Sequence, residues 1–297
     1  MSGYRSMKDF RPYHILLVAA TILYSSALFG KPTVVVSIPP QKAFIEALTG
    51  LEIEVIVLIK PGQNPTSFSL SPKSMAAIGQ ASHYFSIGVP METALLPKLQ
   101  SSYPDLLIVD TSAGIRKRSL ESHFHDHGDE DDSHDHAKDP HIWLSPGLVK
   151  IQLRHYKRIL QELLPDKESF IENNHKAFLE KLEYVDDQLK TTLDPLKGAT
   201  VFVYHPAFGY FLERYGLRQE TVEVEGKQPS PKQLNWLIKL ASEFEAKTLF
   251  VQPQFERRAA QTLAKAIGGR VEIIDPLAEN YLDNLILMGE TIVDSYQ

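Results

Sequence analysis

The sequence predicts an α/β protein of two lobes, each a parallel sheet flanked by helices, joined by one long helix. In both halves of the chain, apolar runs rich in valine and isoleucine alternate with amphipathic segments, as expected for strands that helices cover on both faces. Between the halves, an uninterrupted helical pattern predicts the connection. The predicted limits are 31–165 for the N-terminal lobe, 166–195 for the connecting helix and 196–297 for the C-terminal lobe.

The N-terminal lobe begins a regular alternation of short β-rich runs and segments with helical periodicity. Strands are predicted at Thr33–Ile38, Ile53–Ile59, Tyr84–Gly88 and Leu106–Val109. Helices are predicted near Pro40–Thr49, Pro72–Gln80 and Met91–Gln100, and a further helix is predicted to start near Pro146.

The connecting segment carries six apolar residues at helical spacing and contains no internal glycine or proline. These residues are Ile171, Phe178, Leu182, Val185, Leu189 and Leu193. At 1.5 Å per residue, a helix of about 28 residues spans about 40 Å, which is enough to run the length of the molecule. A coiled coil is the weaker interpretation, because the apolar stripe lasts only a few heptads.

The C-terminal lobe repeats the alternation of the first. Strands are predicted at Thr200–Tyr204, Thr248–Val251 and Val271–Ile274. Helices are predicted over Pro231–Glu245, Glu256–Ile267 and Glu279–Ser295.

The N-terminus has the layout of a secretory signal peptide, predicted over residues 1–30. Arg5, Lys8 and Arg11 precede an apolar run from Ile15 to Phe29, and small residues lie near its end or directly after it: Ser25, Ser26, Ala27 and Gly30. An uncleaved membrane anchor is the alternative, but a run of about 15 residues is shorter than the ~20 that a spanning helix needs. We therefore expect a periplasmic protein.

Composition narrows the function further. The chain has no cysteine, so we expect no lipid-modified cysteine and a metal site built only from nitrogen and oxygen ligands. With 43% hydrophobic and 23% charged residues, it falls among globular proteins. A formal net charge of −6 gives no electrostatic reason to expect a nucleic-acid partner.

An acidic, histidine-rich loop is predicted over residues 121–139. It has almost no apolar residue to bury, and its histidines alternate with aspartates and glutamates. Imidazole and carboxylate are both ligands for zinc-like ions, so the loop is a candidate for auxiliary metal capture. The alternative is a solvated insertion whose histidines bind nothing. These histidines are His123, His125, His127, His134 and His136.

Three further residues are candidate metal ligands. His205 and Asp275 each end a predicted strand, and open α/β sheets bind ligands outside the carboxyl ends of their strands. His141 lies between two prolines just after the loop. Taken alone, a histidine so close to a tryptophan is more often packed or hydrogen-bonded than metal-bound.

These motifs together resemble the substrate-binding receptors of bacterial zinc and manganese ABC transporters. The resemblance covers essentially the whole chain after the signal peptide, and it rests on the loop and on four motifs in order. The motifs are DPHIWLSP (139–146), YHPAFGYF (204–211), VQPQF (251–255) and IDPL (274–277). It implies a two-lobed receptor with a long connecting helix that captures a metal ion between its lobes and delivers it to a membrane permease.

The resemblance also implies a ligand set. In that family two histidines come from the first lobe, a histidine or glutamate from the start of the second, and an aspartate or glutamate from near the end. His141 matches the second ligand, His205 the third and Asp275 the fourth. Histidine at the third position favours zinc, because manganese suits carboxylate-rich sites, although manganese stays open.

The first ligand departs from the family pattern. Thr66 stands where the family has histidine, and a neutral hydroxyl is a poor zinc ligand. The site then has three protein ligands and a water, or it recruits another group. The candidates are a loop histidine and Glu225, although Glu225 fits a structural ion pair or hydrogen bond better.

Two other functions deserve comparison. A zinc-dependent hydrolase would also keep an open metal position, but the chain has no H-E-x-x-H, G-x-S-x-G, P-loop or G-x-G-x-x-G motif. We therefore expect no enzyme activity. A receptor of the same fold for a siderophore or other metal chelate is the closer alternative. A monomer is expected in either case.

Overall fold

A computed structural model describes residues 30–65, 68–120, 138–223, 230–255 and 257–297. Residues from Pro32 to Gln297 form one compact unit. Four of the predicted features lie outside the described residues: the signal peptide apart from Gly30, Thr66, the loop histidines and Glu225. No helix in the described ranges is both long enough and apolar enough to cross a membrane.

The first lobe is built on a four-stranded sheet in which every pair of neighbours is parallel, with the order β2-β1-β3-β4. Val34, Val35 and Val36 in the central strand β1 are fully buried, as helices on both faces of a parallel sheet require. The strands are β1 Thr33–Val36, β2 Glu54–Val57, β3 His83–Ser86 and β4 Leu107–Asp110. The helices of this lobe are α1 Pro39–Thr49, α2 Pro72–Ile78 and α3 Pro90–Ser102.

Prolines set the starts of several helices. Pro39, Pro72 and Pro90 stand in the first turns of α1, α2 and α3, where a missing backbone N–H costs nothing and the fixed φ already suits a helix. A fourth, Pro146, begins α4, which runs Pro146–Leu163. Strands β1 and β3 are therefore followed within a few residues by a helix, which leaves short loops at the carboxyl edge of the sheet.

The connecting helix, α5, runs Glu168–Leu193. Short 3-10 turns at Pro165–Lys167 and Asp194–Leu196 flank it, so its α-helical part is slightly shorter than the predicted 166–195. Its 26 residues span about 39 Å. The whole predicted apolar stripe is buried, against α1 and α4 of the first lobe and a helix of the second.

The second lobe repeats the strand order of the first, β6-β5-β7-β8, again fully parallel. The predicted fold class is therefore confirmed. The strands are β5 Thr200–Val203, β6 Arg218–Thr221, β7 Thr248–Val251 and β8 Arg270–Ile273. The helices are α6 Gly209–Arg214, α7 Pro231–Glu243, α8 Arg257–Ala266 and α9 Tyr281–Asp294.

Two elements of the second lobe were not predicted. Strand β6 has the polar sequence RQET and lies at the edge of its sheet, where pairing with β5 alone holds it. Helix α6 has only six residues, too few for a periodic pattern to indicate it. Main-chain pairing and tertiary context, rather than apolar patterning, determine both.

An ion pair fixes the connecting helix to the second lobe. The carboxylate of Asp186 is buried and accepts hydrogen bonds from Nε and Nη2 of Arg214, both at 2.5 Å, and from the Tyr215 hydroxyl at 3.0 Å. Lys190 adds an ion pair at 3.0 Å. Burial opposes ionisation of Asp186, but these donors outweigh it and lower its pKa to about 2.

We expect Asp186→Asn to lower the free energy of unfolding at pH 7 by about 2 kcal/mol. A carboxyl whose pKa falls on folding stabilises the native state above its unfolded pKa, near 3.9, and loses that contribution as the pH drops to about 2. The difference between wild type and variant should therefore shrink from pH 4 to pH 2. Urea unfolding over this pH series measures it.

Asp187→Asn is the matched control, because Asp187 is the exposed neighbour of Asp186 and forms its ion pair with Lys190 at the surface. If Asp187→Asn lowered the free energy of unfolding as much as Asp186→Asn, the stabilising role given to Asp186 would be wrong.

Candidate metal centre

The predicted ligands of the second lobe lie at the carboxyl edge of its sheet. His205 follows β5 and Asp275 follows β8 by two residues each. The carboxyl edge is where open α/β sheets bind their ligands. His141 comes from the first lobe, where it immediately precedes the 3-10 turn Ile142–Leu144 that leads into α4.

The structure brings His141 and His205 together from the two lobes. Their ring centroids are 5.5 Å apart, and the rings meet edge to face at 77°. The side chains are 12% and 18% exposed, so both imidazoles are sheltered without being sealed from solvent. Two of the three predicted ligands thus share one inter-lobe position.

His141 is held by a buried carboxylate two residues before it. Asp139 Oδ1 lies 2.7 Å from Nδ1 of His141 and accepts the His141 main-chain N–H at 2.9 Å. A carboxylate can only accept, so Nδ1 must carry the proton and Nε2 keeps its lone pair. Such a carboxylate–histidine pair is the usual support of a metal-binding imidazole.

His205 has the same kind of support from a residue that follows β6. Oε2 of Glu223, whose side chain is only 4% exposed, lies 2.8 Å from Nδ1 of His205. The ring of Phe255 stacks on the imidazole, with centroids 4.9 Å apart. By the same argument, Nε2 of His205 is available to an ion.

Burial lowers the pKa of His141, and it outweighs the opposing effect of Asp139. The neighbouring His205 lowers this pKa further. His141 is therefore neutral at neutral pH, and the neutral ring is the form that binds metals.

Asp275 occupies a different hydrogen-bonding environment. Its Oδ1 accepts the side-chain amide of Gln254 at 2.8 Å and the main-chain N–H of Leu277 at 2.9 Å. Its carbonyl oxygen accepts the Asn284 amide at 2.7 Å. Within the described ranges, no three His, Asp or Glu side chains are grouped so that they could hold a metal ion. The role of Asp275 as a metal ligand stays a prediction.

Hydrogen bonds link the His141 segment to the second lobe. The Trp143 indole N–H donates to the Pro276 carbonyl at 2.7 Å, and the Tyr281 hydroxyl donates to the Trp143 carbonyl at 2.7 Å. The Tyr210 hydroxyl donates to the Asp139 carbonyl at 3.1 Å. These contacts fix the distance between the first-lobe histidine and the second-lobe motifs.

Sequence reasoning missed the roles of Asp139 and Glu223. The Asp-x-His spacing is a signal for Asp139, because two residues place a carboxylate within reach of the following imidazole. Glu223 gave no such signal, since it follows the polar strand β6 that periodicity did not reveal.

The chain matches the family described as "Zinc-uptake complex component A periplasmic", ZnuA, over residues 34–295. The chain belongs to this family. The predicted resemblance to zinc-type receptors of ABC transporters is thereby confirmed, and the family is one of uptake components rather than of hydrolases.

Solved structures and a curated relative agree with this membership. A crystal structure of ZnuA is 34% identical, covers 90% of this chain and 100% of its own, and has a TM-score of 0.82. A zinc-bound deletion mutant of ZnuA is 33% identical over 90% of this chain and 98% of its own, with a TM-score of 0.81. The zinc-binding lipoprotein AdcA of Streptococcus pneumoniae is 30% identical over 84% of this chain. The chain spans about half the length of that relative, 50%.

We expect Glu223→Ala to weaken metal binding by about 10- to 100-fold, because His205 loses the carboxylate that fixes its tautomer and orientation. Isothermal titration with zinc measures the change. Glu243→Ala, at an exposed position at the end of α7, is the control. Wild-type affinity in a folded Glu223→Ala protein would contradict the role given to Glu223.

Proposed function

We propose that this protein is the periplasmic metal receptor of an ABC importer, which captures zinc between its lobes and delivers it to a membrane permease. One observation carries the proposal. The imidazoles of His141 and His205 come from different lobes and meet with their ring centroids 5.5 Å apart, and each has its Nδ1 hydrogen-bonded to a buried carboxylate, so that Nε2 is left for an ion. Membership of the zinc-uptake family supports the same conclusion.

The proposed ligands are His141, His205 and Asp275. Glu225 and the histidines of the loop 121–139 are proposed as auxiliary groups, and a water or one of these groups takes the position that Thr66 leaves without an imidazole. Histidine nitrogens suit zinc better than manganese, so we propose zinc as the main cargo and manganese as a weaker one. Relatives whose names and structures record zinc support zinc as the cargo.

Capture requires little rearrangement of the two histidines. In the tautomer that each carboxylate selects, Nε2 is the nitrogen with the lone pair, so an ion binds through Nε2 of both rings. Asp139 and Glu223 then stabilise the positive charge that the imidazoles share with the ion. Release follows when docking on the permease disturbs the ligand set.

We further propose a monomer without a nucleic-acid partner. The net charge of −6 supports the second point. Since the sequence contains no cysteine, we propose that it carries no lipid on a cysteine, unlike the relative that is named a lipoprotein. The mass of the protein isolated from the periplasm tests whether a lipid is attached.

The central experiment is isothermal titration of zinc into wild type and His205→Ala. We expect one tight site in wild type and a loss of at least about 100-fold in the variant, because a ligand and its oriented lone pair are both removed. His155→Ala is the matched control, since the His155 ring contacts the Ala113 carbonyl instead of the histidine pair. Unchanged tight affinity in His205→Ala would refute the inter-lobe site.

A deletion of residues 121–138 distinguishes metal binding by the loop from metal binding at the inter-lobe site. We expect the deletion to leave the tight site in place. Loss of all tight binding in the deletion, with His205→Ala unaffected, would assign specific binding to the loop. Purified protein that carries an iron-chelate absorbance and no stoichiometric zinc would instead indicate the chelate receptor.

Thr66→His should tighten zinc binding if a water fills the first-ligand position, because an imidazole replaces a weaker donor. The measurement is the zinc dissociation constant of Thr66→His beside that of Thr66→Ala. Equal affinities in all three proteins would mean that another protein group already fills that position.

A further inference from the structure

The segment that follows β7 contacts both ligand positions of the second lobe. Gln252 is 1% exposed, and its amide pairs with the main chain of His205: Oε1 accepts the N–H at 3.3 Å and Nε2 donates to the carbonyl at 2.8 Å. Phe255 stacks on the His205 ring. Gln254, between them, reaches Asp275. One short loop therefore holds His205 on one side and Asp275 on the other.

The contact of Gln254 has a defined direction. The Asp275 carboxylate can only accept, so the amide must present its nitrogen, and Nε2 lies 2.8 Å from Oδ1. The main-chain N–H of Leu277 donates to the same oxygen at 2.9 Å. Both donors use Oδ1, and among the described residues none donates to Oδ2. The two carboxylate oxygens are thus unequal before any ion arrives.

The difference between the two oxygens of Asp275 affects which metal ion this carboxylate binds better. An aspartate whose Oδ1 is engaged by two donors offers an ion Oδ2 alone. Zinc favours four ligands in a tetrahedron, and a carboxylate that binds through one oxygen occupies one of these four positions. Manganese favours octahedral, oxygen-rich sites, which a carboxylate serves better when both its oxygens bind.

We propose that Gln254 is a specificity-determining positioning residue, which keeps Asp275 in one-oxygen coordination and so favours zinc over manganese. It contacts no ion itself and acts through Asp275. The inference rests on the proposed function, and it adds a device for choosing between the two candidate ions.

The test measures zinc and manganese affinities of wild type and Gln254→Met, which keeps the length of the side chain and removes the donor. We expect the preference for zinc to fall by about tenfold, chiefly because manganese binds more tightly. Gln100→Met, on an exposed face of α3, is the matched control. Unchanged preference in Gln254→Met would overturn the proposal.

A double variant shows whether Gln254 acts through Asp275. In an Asp275→Asn background, Gln254→Met should leave the zinc-to-manganese ratio unchanged, whereas a general loosening of the loop would lower it in both backgrounds. X-ray absorption of bound zinc gives a second reading: wild type should show one carboxylate oxygen, and Gln254→Met should gain longer oxygen contacts. Should Gln254→Met fail to fold, Gln254→Ala removes the same donor.

The outcomes separate this inference from the proposed function. If wild type binds zinc tightly and His205→Ala does not, the receptor function stands whatever Gln254→Met does. If wild type binds neither zinc nor manganese, the proposed function fails first.

Discussion

A hydrogen bond between a buried carboxylate and the Nδ1 of a histidine underlies the site, and it occurs twice. Asp139 supports His141 and Glu223 supports His205, at 2.7 and 2.8 Å. Each bond fixes a tautomer, a ring orientation and the position of a lone pair. Each also places a negative group in a sheltered position, where a divalent cation between the rings would offset two carboxylates at once.

The fold brings these pairs together from distant parts of the chain. Both sheets have the same parallel strand order, so each lobe presents its loops at a carboxyl edge. The connecting helix is packed against both lobes, and Asp186 with Arg214 fixes it to the second. Gly289 of α9 shows how closely they pack, since a Cβ there would meet Leu189 of the connecting helix at 2.4 Å.

The sequence alone predicted the parts of the molecule that apolar patterning controls. Continuous valine runs indicated strands such as β1 and β5, and the stripe from Ile171 to Leu193 indicated the long helix. The sequence did not predict the polar strand β6, because a strand that is held by main-chain pairing at the edge of a sheet needs no apolar pattern. Because β6 was not predicted, the role of Glu223, which follows this strand, was not predicted either. The approach of His141 to His205 was predicted only through resemblance, since no local pattern encodes a contact between residues 64 positions apart.

The bonds from Trp143 to Pro276 and from Tyr281 to Trp143 have a mechanical consequence for unloading. They join the segment that carries His141 to the lobe that carries His205, so rotation of whole lobes cannot part the two rings without breaking buried hydrogen bonds. Breaking both bonds disfavours opening along that path by about 1–3 kcal/mol. In the proposed receptor function, docking on the membrane permease would have to break these two hydrogen bonds to part the rings.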